Sequence, residues 1–235
     1  MSQKKVIDYF GSKLPLAKLH SKTTVKFRRK IYDFLQQSIE GVEEKIFLDH
    51  GSTPETTREA SNCFIRWLLE DGAQVYATSP ENINHLEQVF PRLVVLDWPL
   101  APGKLPRIDY IISSAVIEHV GSESSQIDFV RSLLALHPNI LLTTPNRYHW
   151  LEFHTKLPLL HWLPRNWHRA GLRLLGLNFW AMEQNLRLLS EKDLIRIVKK
   201  AAQMSHMDIN LIWYKPKLLG KVSNLCILIQ SSPLK

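Results

Sequence analysis

Residues 45–54, KIFLDHGSTP, form a short apolar run that ends in an acidic residue and a glycine-containing turn. Such a run is typical of a buried β-strand that leads into a loop. From here to residue 230 the sequence alternates strand-like and helix-like stretches. The alternation predicts an α/β fold with a doubly wound, mostly parallel sheet, because parallel strands need crossover helices between them.

Apolar patterns and turn signals place the individual elements. Strands are predicted at residues 45–49, 74–77, 93–96, 109–113, 140–144, 209–214 and 222–230. Helices are predicted at residues 61–71, 81–89, 126–136 and 190–203, and the last of these begins with the capping-box pair Ser190 and Asp193. Because the last two strands are joined by a short connection, we expect them to pair antiparallel at one edge of the sheet.

The length of 235 residues suits one large domain or one domain with an appendage. Residues 1–44 are predicted to form a basic N-terminal helical extension, with a helix over residues 25–39. Residues 45–235 are predicted to form the α/β domain. Within that domain, residues 146–180 form an aromatic and basic insertion that we assign to the substrate side.

The formal net charge of +8 is unevenly distributed. Residues 1–30 carry +8, residues 31–144 carry −9 and residues 145–235 carry +9. A nucleic-acid-binding domain usually shows one dominating basic footprint, so nucleic acid is the less favoured partner. The content of 45% hydrophobic and 22% charged residues excludes a disordered chain.

Cysteine content and hydropathy bear on the location of the protein. The two cysteines, Cys63 and Cys226, provide no disulfide framework, and we expect both to be small buried hydrophobes in a reducing compartment. No apolar run approaches the ~20 residues of a spanning helix, and the N-terminus lacks the apolar centre of a signal peptide. We therefore expect a cytoplasmic protein, with peripheral contact at the inner face of the membrane as an open alternative.

Four segments follow one another along the chain: FLDHGSTPE, VVLDW, DYIISSAVIEHV and LLTTPNRYHWLEFHTKLPLLHWLP. This ordered set resembles the class I S-adenosylmethionine-dependent methyltransferase family, and in particular its small bacterial members with a Thr-Pro variant of the first cofactor loop. The resemblance covers about residues 45–230, and IEHV and TTPNR are its most specific parts. It implies a seven-stranded Rossmann-like fold, S-adenosylmethionine as cofactor and methyl transfer as the reaction.

The resemblance also implies cofactor contacts at the ends of four strands. Asp49 and Gly51 match the acidic residue and first glycine of the family's first loop, where glycine lets the backbone approach a ligand closely. Asp97 matches the acid that accepts a hydrogen bond from the adenine amino group, and Trp98 can cover the ring. The other predicted cofactor residues are Thr53, Thr78, Ser79, Ser113 and Ser114.

Two departures from the family pattern support a second hypothesis. Thr53 stands where the loop usually has another glycine. Thr78 and Ser79 replace the acid that usually grips the ribose hydroxyls, and Glu81 is the nearest carboxylate. Since hydroxyls bind a ribose more weakly than a carboxylate does, the alternative is a non-catalytic methyltransferase-fold protein that binds a nucleotide-like ligand or a protein partner.

Histidines are the candidate acid–base and metal-binding residues. We predict His119 as a general base, with the alternative that it orients Glu118 or its loop. A metal site is not predicted. His154, His161 and His168 recur every seven residues, but prolines between them interrupt any continuous helix, and no HExxH or Cys/His spacing occurs.

The segment 146–180 gives the clue to the acceptor. It contains Trp150, Trp162, Trp167 and Trp180 interleaved with five basic residues. This composition suits an anionic, partly apolar acceptor, such as a small molecule, a glycan or a lipid-linked precursor, and it also suits a segment at an acidic membrane. The alternative is a packed helical insertion whose tryptophans are core. The sequence leaves the oligomeric state open.

Overall fold

The computed structural model describes residues 16–100, 103 and 105–231, with side chains from residue 23 onward. Residues 1–15 of the predicted basic extension lie outside the described residues. Within the described ranges, no helix combines the length and the apolar character that crossing a bilayer requires.

Nine strands and seven α-helices are found in the described part of the chain. The strands are β1 (Ile46–His50), β2 (Gln74–Thr78), β3 (Leu93–Val95), β4 (Tyr110–Ser114), β5 (Ile140–Pro145), β6 (Ile209–Tyr214), β7 (Lys217–Leu218), β8 (Lys221–Val222) and β9 (Asn224–Ser231). The helices are α1 (Leu16–Ser38), α2 (Cys63–Glu70), α3 (Leu86–Val89), α4 (Glu123–Leu136), α5 (Arg165–Leu174), α6 (Asn178–Ala181) and α7 (Glu191–Met204). Short 3-10 turns occur at Val42–Glu44, Ile117–His119 and Leu160–Trp162.

Seven of the strands form one sheet in the order β3-β2-β1-β4-β5-β9-β6. The first five pair in parallel, and β9 lies antiparallel between β5 and β6. The predicted doubly wound, mostly parallel sheet of seven strands is therefore confirmed. The antiparallel pairing of the last two long strands at the edge is also confirmed, and the connection between them contains the small β7-β8 hairpin.

Helices cover both faces of the sheet. Phe47 and Ile112 point to the side covered by α1 and α2, whereas Leu48 and Ile111 point to the side covered by α4 and α7. This division follows from the strand geometry, since successive side chains project to opposite faces. The sheet therefore contributes to two apolar cores and leaves the ends of its strands for polar residues.

Helix α1 belongs to the first of these cores. Ile31 and Leu35 are buried in it, and the hydroxyl of the buried Tyr32 donates a hydrogen bond to Asp71, with an O–O distance of 2.6 Å. The helix predicted over residues 25–39 is thus confirmed. It packs directly on the α/β domain, which the predicted division at residue 44 did not anticipate.

Local side-chain hydrogen bonds explain where the helices begin. The capping box is confirmed, because Ser190 and Asp193 each accept a hydrogen bond from the other's backbone N–H. The predicted helix over residues 81–89 is too long, since only Leu86–Val89 is helical. The side chain of Asn82 accepts a hydrogen bond from the amide of Asn84 at 3.1 Å, and this turn competes with the first helical turn.

Candidate active site

The carboxyl ends of β1, β2 and β4 lie side by side. Asp49 is paired with Ala77 of β2 and with Ile112 of β4, so Asp49, Thr78 and Ser113 reach the same edge of the sheet. The chain changes direction across the sheet between β1 and β4. This is the topological switch point at which doubly wound proteins bind their ligands.

Asp49 is buried at this switch point. Burial raises the pKa of its carboxyl group to about 6, while the hydroxyl of Ser52 and the positive charge of Arg28 act in the opposite direction. Ser52 donates a hydrogen bond to the carboxylate. Because Arg28 belongs to α1, the N-terminal helix contributes charge to the site, which the sequence pattern alone did not indicate.

The loop after β1 is held by its own side chains. Gly51 has a φ of 100°, and its amide donates to the carbonyl of Thr78 at 2.9 Å. Asn62 accepts from the amide of Thr53 at 3.1 Å and donates to the Thr53 carbonyl at 2.8 Å. Glu55 accepts hydrogen bonds from three other loop residues. Carboxylate and amide side chains therefore fix this loop in place of extra glycines.

The end of β2 carries the predicted ribose-binding hydroxyls. The hydroxyl of Thr78 donates to the carbonyl of Leu96 at 3.3 Å, so its hydrogen is already committed. The Ser79 oxygen accepts from the amide of Glu81 at 3.2 Å and keeps its own hydrogen for another acceptor. Burial raises the pKa of the half-buried Glu81 carboxyl group. Ser79 therefore has a hydrogen available for a further hydrogen bond, and Thr78 does not.

Asp97 and Trp98 lie exposed in the loop after β3. The Trp98 ring packs edge-on against His50, with 5.3 Å between the ring centroids, and 45% of its surface is accessible. Burial lowers the pKa of His50 to about 4, so this imidazole is neutral at pH 7. Asp97 and the exposed part of the Trp98 ring are therefore accessible to a ligand, and their assignment to the adenine stays a prediction.

The two serines at the end of β4 have different surroundings. Ser113 is fully buried, and its hydroxyl oxygen has no hydrogen-bond partner among the described residues. The Ser114 hydroxyl lies 2.9 Å from that of Thr143 on β5. Of the two, Ser113 is the one with a hydroxyl group left over for a ligand.

His119 belongs to a group of four side chains, which we call the histidine cluster: Glu118, His119, Glu152 and His154. The two glutamates are buried and the two histidines are partly buried. Nε2 of His119 lies 3.1 Å from Nε2 of His154, and Oε1 of Glu118 lies 3.9 Å from each of these nitrogens. Burial, with a smaller effect of His154, lowers the pKa of His119 to about 3. The sequence singled out Glu118 and His119 but did not bring Glu152 and His154 beside them.

A second buried network fixes the turn that carries Glu118 and His119. The amide group of Gln126 donates to the carbonyls of Ile117 and Arg187 at 2.9 and 3.1 Å. The Arg187 guanidinium donates to Gln126 and to Glu123, and its backbone amide donates to the carbonyl of Glu118 at 2.7 Å. The backbone of the cluster is thus clamped from α4 and from the segment before α7.

Comparisons with known proteins bear on the fold. No protein-family model and no curated protein matches the sequence. Magnesium protoporphyrin IX methyltransferase from Synechocystis PCC 6803 is similar over 95% of this chain and 91% of its own, with a TM-score of 0.55 and 12% identity. An S-adenosylmethionine-dependent methyltransferase from Mesorhizobium loti is similar over 84% and 96%, with a TM-score of 0.54 and 13% identity. The chain has the class I methyltransferase fold.

The fold does not by itself determine the reaction. A Rhodobacter sphaeroides protein named as a Zn-dependent alcohol dehydrogenase is similar over 81% of this chain and 85% of its own, with a TM-score of 0.55 and 9% identity. The function of this methyltransferase-fold chain must therefore be argued from its own site.

The methyltransferase fold implies S-adenosylmethionine as a ligand, and the residues at the switch point fit this molecule. Nδ1 of His50 and the hydroxyl of Ser113 are buried without a hydrogen-bond partner among the described residues. Asp97 and Trp98 add an exposed hydrogen-bond acceptor and an exposed ring face, and Asp49 adds a buried carboxyl group. The end of β2 carries the hydroxyl of Ser79 and the carboxyl group of Glu81.

The segment 146–180 of the methyltransferase fold is partly packed and partly exposed. Trp150 and Trp162 contact each other, with 5.4 Å between ring centroids, and the Lys221 ammonium lies over both rings. On α5, in contrast, Trp167 is 71% exposed and Leu174 is 89% exposed. The alternative that all four tryptophans of this segment belong to the core is therefore wrong, because Trp167 is exposed to solvent.

Proposed function

We propose that this chain transfers a methyl group from S-adenosylmethionine to an anionic, partly apolar acceptor. The observation that carries the proposal is the convergence of Asp49, Ser113 and the Asp97–Trp98 pair at the switch point of a methyltransferase fold. The acidic character of residues 31–144, at −9, suits a ligand with a positive sulfonium group.

Each part of the cofactor has candidate partners in this site. Asp49 stabilises the positive end of the methionine portion, and Ser113 supplies a hydroxyl group close to it. Asp97 accepts a hydrogen bond from the adenine amino group, and Trp98 stacks on the adenine ring. Ser79, with Glu81, is left to bind the ribose.

The chain's contribution to the reaction is mainly positioning. S-adenosylmethionine supplies a methyl group on a sulfonium, and the acceptor's lone pair bonds to the methyl carbon as the electron pair of the carbon–sulfur bond stays on sulfur. The site must hold the two reactants in line, which can provide much of the rate. The histidine cluster lies at the ends of β4 and β5, on the acceptor side, and the general-base role of His119 stays a prediction.

The character of the acceptor is inferred from α5 and its surroundings. Trp167 and Leu174 expose apolar surface, and Arg173 lies exposed beside Leu174 in the sequence. Residues 145–235 carry a net charge of +9. An anionic acceptor with an apolar part, including a lipid-linked one at an acidic membrane surface, matches both properties.

A second candidate function is binding without catalysis. It is favoured by the loop after β1, whose polar groups are already paired with Asn62 and Glu55, and by the committed hydroxyl of Thr78. On this hypothesis the chain is a methyltransferase-fold protein that binds a nucleotide-like ligand or a protein partner.

Calorimetric titration with S-adenosylmethionine and S-adenosylhomocysteine separates the two candidates. We expect both molecules to bind the wild type, and Asp97→Ala to weaken binding by about tenfold, the equivalent of one good hydrogen bond to a charged group. The matched control is Asp208→Ala, an exposed acid ahead of β6 at the opposite edge of the sheet. If neither molecule binds, methyl transfer is excluded; if Asp97→Ala and Asp208→Ala bind equally, the assigned adenine site is wrong.

A further inference from the structure

Three donor atoms of the histidine cluster converge on one point. Glu118 and His119 come from the 3-10 turn after β4, and His154 comes from the segment after β5. The two Nε2 atoms are 3.1 Å apart, and Oε1 of Glu118 is 3.9 Å from each. These three distances define a triangle whose centre lies about 2.1 Å from every donor atom, which is a typical distance for Zn²⁺ to imidazole nitrogen or carboxylate oxygen.

Both imidazole rings are oriented by hydrogen bonds at their other nitrogen. Nδ1 of His119 lies 2.7 Å from the carbonyl oxygen of Asn185, and Nδ1 of His154 lies 2.6 Å from Oε1 of Glu152. A carbonyl or carboxylate oxygen accepts hydrogen bonds, so each Nδ1 carries the hydrogen and donates. When both rings are neutral, each Nε2 turns a lone pair toward the other, and a cation between the two atoms, either a metal ion or a proton, would stabilise this arrangement.

Glu118 supplies the third donor. Its Oε2 accepts a hydrogen bond from the hydroxyl of Thr144 at 2.9 Å. Its Oε1 is fully buried, faces the two Nε2 atoms and has no hydrogen-bond partner among the described residues. A buried carboxylate oxygen without a partner is costly, and a cation at the centre of the triangle would satisfy it.

We propose that Glu118, His119 and His154 bind a divalent transition-metal ion, with Zn²⁺ as the best match, through Oε1 and the two Nε2 atoms. Two imidazoles and one carboxylate are a known zinc donor set that leaves a coordination position for another ligand. Glu152 and the Asn185 carbonyl are positioning groups, since a hydrogen bond to the far nitrogen of a ligating histidine fixes its orientation and raises its basicity. This gives His119 a role different from the predicted general base.

The site lies on the acceptor side of the fold, next to Trp180, whose ring centroid is 5.3 Å from that of His154. With the proposed methyl transfer, the open coordination position would suit an oxygen of an anionic acceptor. Metal binding itself requires neither cofactor nor acceptor, so it can be tested apart from the proposed function.

The alternative occupant of the space between the rings is a proton. A hydrogen on Nε2 of His154 would donate to Nε2 of His119 and make the pair an ordinary buried hydrogen bond. If a metal ion lies between the two rings, removing one ring lowers the affinity for zinc. If only a proton lies there, removing one ring leaves the affinity for zinc unchanged.

The test is a Zn²⁺ titration of the purified full chain, stripped with a chelator, in competition with a metal-sensitive dye at neutral pH. We expect about one high-affinity Zn²⁺ per wild-type chain. We expect His119→Gln and His154→Gln to weaken the affinity about 100-fold or more, and Glu152→Gln to weaken it about 10–100-fold. Co²⁺ in place of Zn²⁺ should give a visible absorption band that the two histidine variants lose.

His168→Gln is the matched control, because His168 lies on α5 outside the cluster and belongs to the same chain segment. Where a histidine variant does not give a wild-type circular dichroism spectrum, Glu118→Gln takes its place, since it keeps the size of the side chain and an oxygen for Thr144. The proposal is overturned if the wild type binds Zn²⁺ no more tightly than these variants, which is the result expected of a hydrogen-bonded pair. Failure here would leave the titration with S-adenosylmethionine unaffected.

Discussion

A Cβ atom built on Gly51 would lie 2.5 Å from Cγ2 of Val116. The loop after β1 and the loop after β4 therefore touch at a position where only a hydrogen atom fits. The sequence resemblance assigns Gly51 to close approach of the cofactor. In the structure, Val116 fills the space that a side chain at position 51 would occupy. This glycine therefore also allows the loops after β1 and β4 to pack against each other.

We expect Gly51→Ala to lower the free energy of unfolding by about 2–4 kcal/mol, because the methyl group adds a clash to the strain of a positive φ. Urea unfolding followed by circular dichroism measures this. Gly176→Ala is the control: Gly176 also has a positive φ, of 73°, but nothing lies within 4 Å of its Cβ position. It should cost only about 1 kcal/mol. Equal losses in the two variants would show that Val116 is not the obstacle.

Val116→Ala tests the same contact from the other side. In the Gly51→Ala background it removes the clashing methyl groups, so part of the lost stability should return. The interaction energy in the double-mutant cycle should be about 0.5–3 kcal/mol and favourable. Additive effects of the two changes would contradict a direct contact.

Asp49 should make the stability of the protein depend on pH. Its pKa is about 6 in the folded protein and near 3.8 in the unfolded chain, so the folded state holds the proton more tightly. The stabilisation from protonated Asp49 is complete below pH 3.8 and is lost as the pH rises through 6. Asp49→Asn removes this loss, and we expect it to be about 2–3 kcal/mol more stable than the wild type at pH 8.

The check is the free energy of unfolding of both proteins between pH 4 and pH 8. The two curves should meet below about pH 4, separate progressively as the pH rises from there, and reach their full difference just above pH 6. Although Asp49→Asn should stabilise the fold, it should weaken S-adenosylmethionine binding at pH 8. The substitution removes the carboxylate that stabilises the positive end of the ligand. A constant difference between the curves would mean that Asp49 is already ionised throughout.

The seven strands and the doubly wound fold could be predicted because apolar runs and their spacing are local properties of the sequence. The predicted bounds of β6 are those observed. The shortened α3 could not be predicted from apolar spacing, since one side-chain hydrogen bond of Asn82 decided it. The packing of α1 on the domain could not be predicted, because apolar residues such as Ile31 and Leu35 indicate a buried face of the helix but not the surface that covers it.

The candidate site was only partly accessible to sequence reasoning. Asp49 and Ser113 lie near the carboxyl ends of β1 and β4, and Asp97 follows β3. The rule that parallel strands end at one edge places all three at the same edge of the sheet. The histidine cluster follows no such rule, since His154 reaches Glu118 and His119 from an irregular segment more than thirty residues further on. The sequence feature that could have pointed to the cluster is Glu152. It is the only acidic residue in the basic segment 146–180, and it lies two residues before His154.

The two cysteines should be unreactive in the folded protein. Cys63 and Cys226 are both free and fully buried, which confirms the sequence expectation, and burial raises the pKa of each thiol. A thiol reagent at pH 8 should label neither residue until denaturant is added, when both should react. Rapid labelling of Cys63 without denaturant would show that α1 opens from the core.

The exposed surface of α5 should bind membranes if the acceptor is lipid-linked. Sedimentation with vesicles that contain acidic lipid should recover the wild type, whereas neutral vesicles should recover much less. Trp167→Ser and Leu174→Ser should each reduce binding about tenfold or more, because each removes an apolar side chain worth about 1.5–3 kcal/mol on full burial. Arg173→Gln should reduce binding to acidic vesicles alone, by about fivefold.

The control is Val94→Ser, at an exposed apolar position on the edge strand β3, which should not change vesicle binding. If the wild type binds acidic and neutral vesicles equally weakly, the lipid-linked acceptor is excluded. The apolar surface of α5 then contacts something other than a membrane.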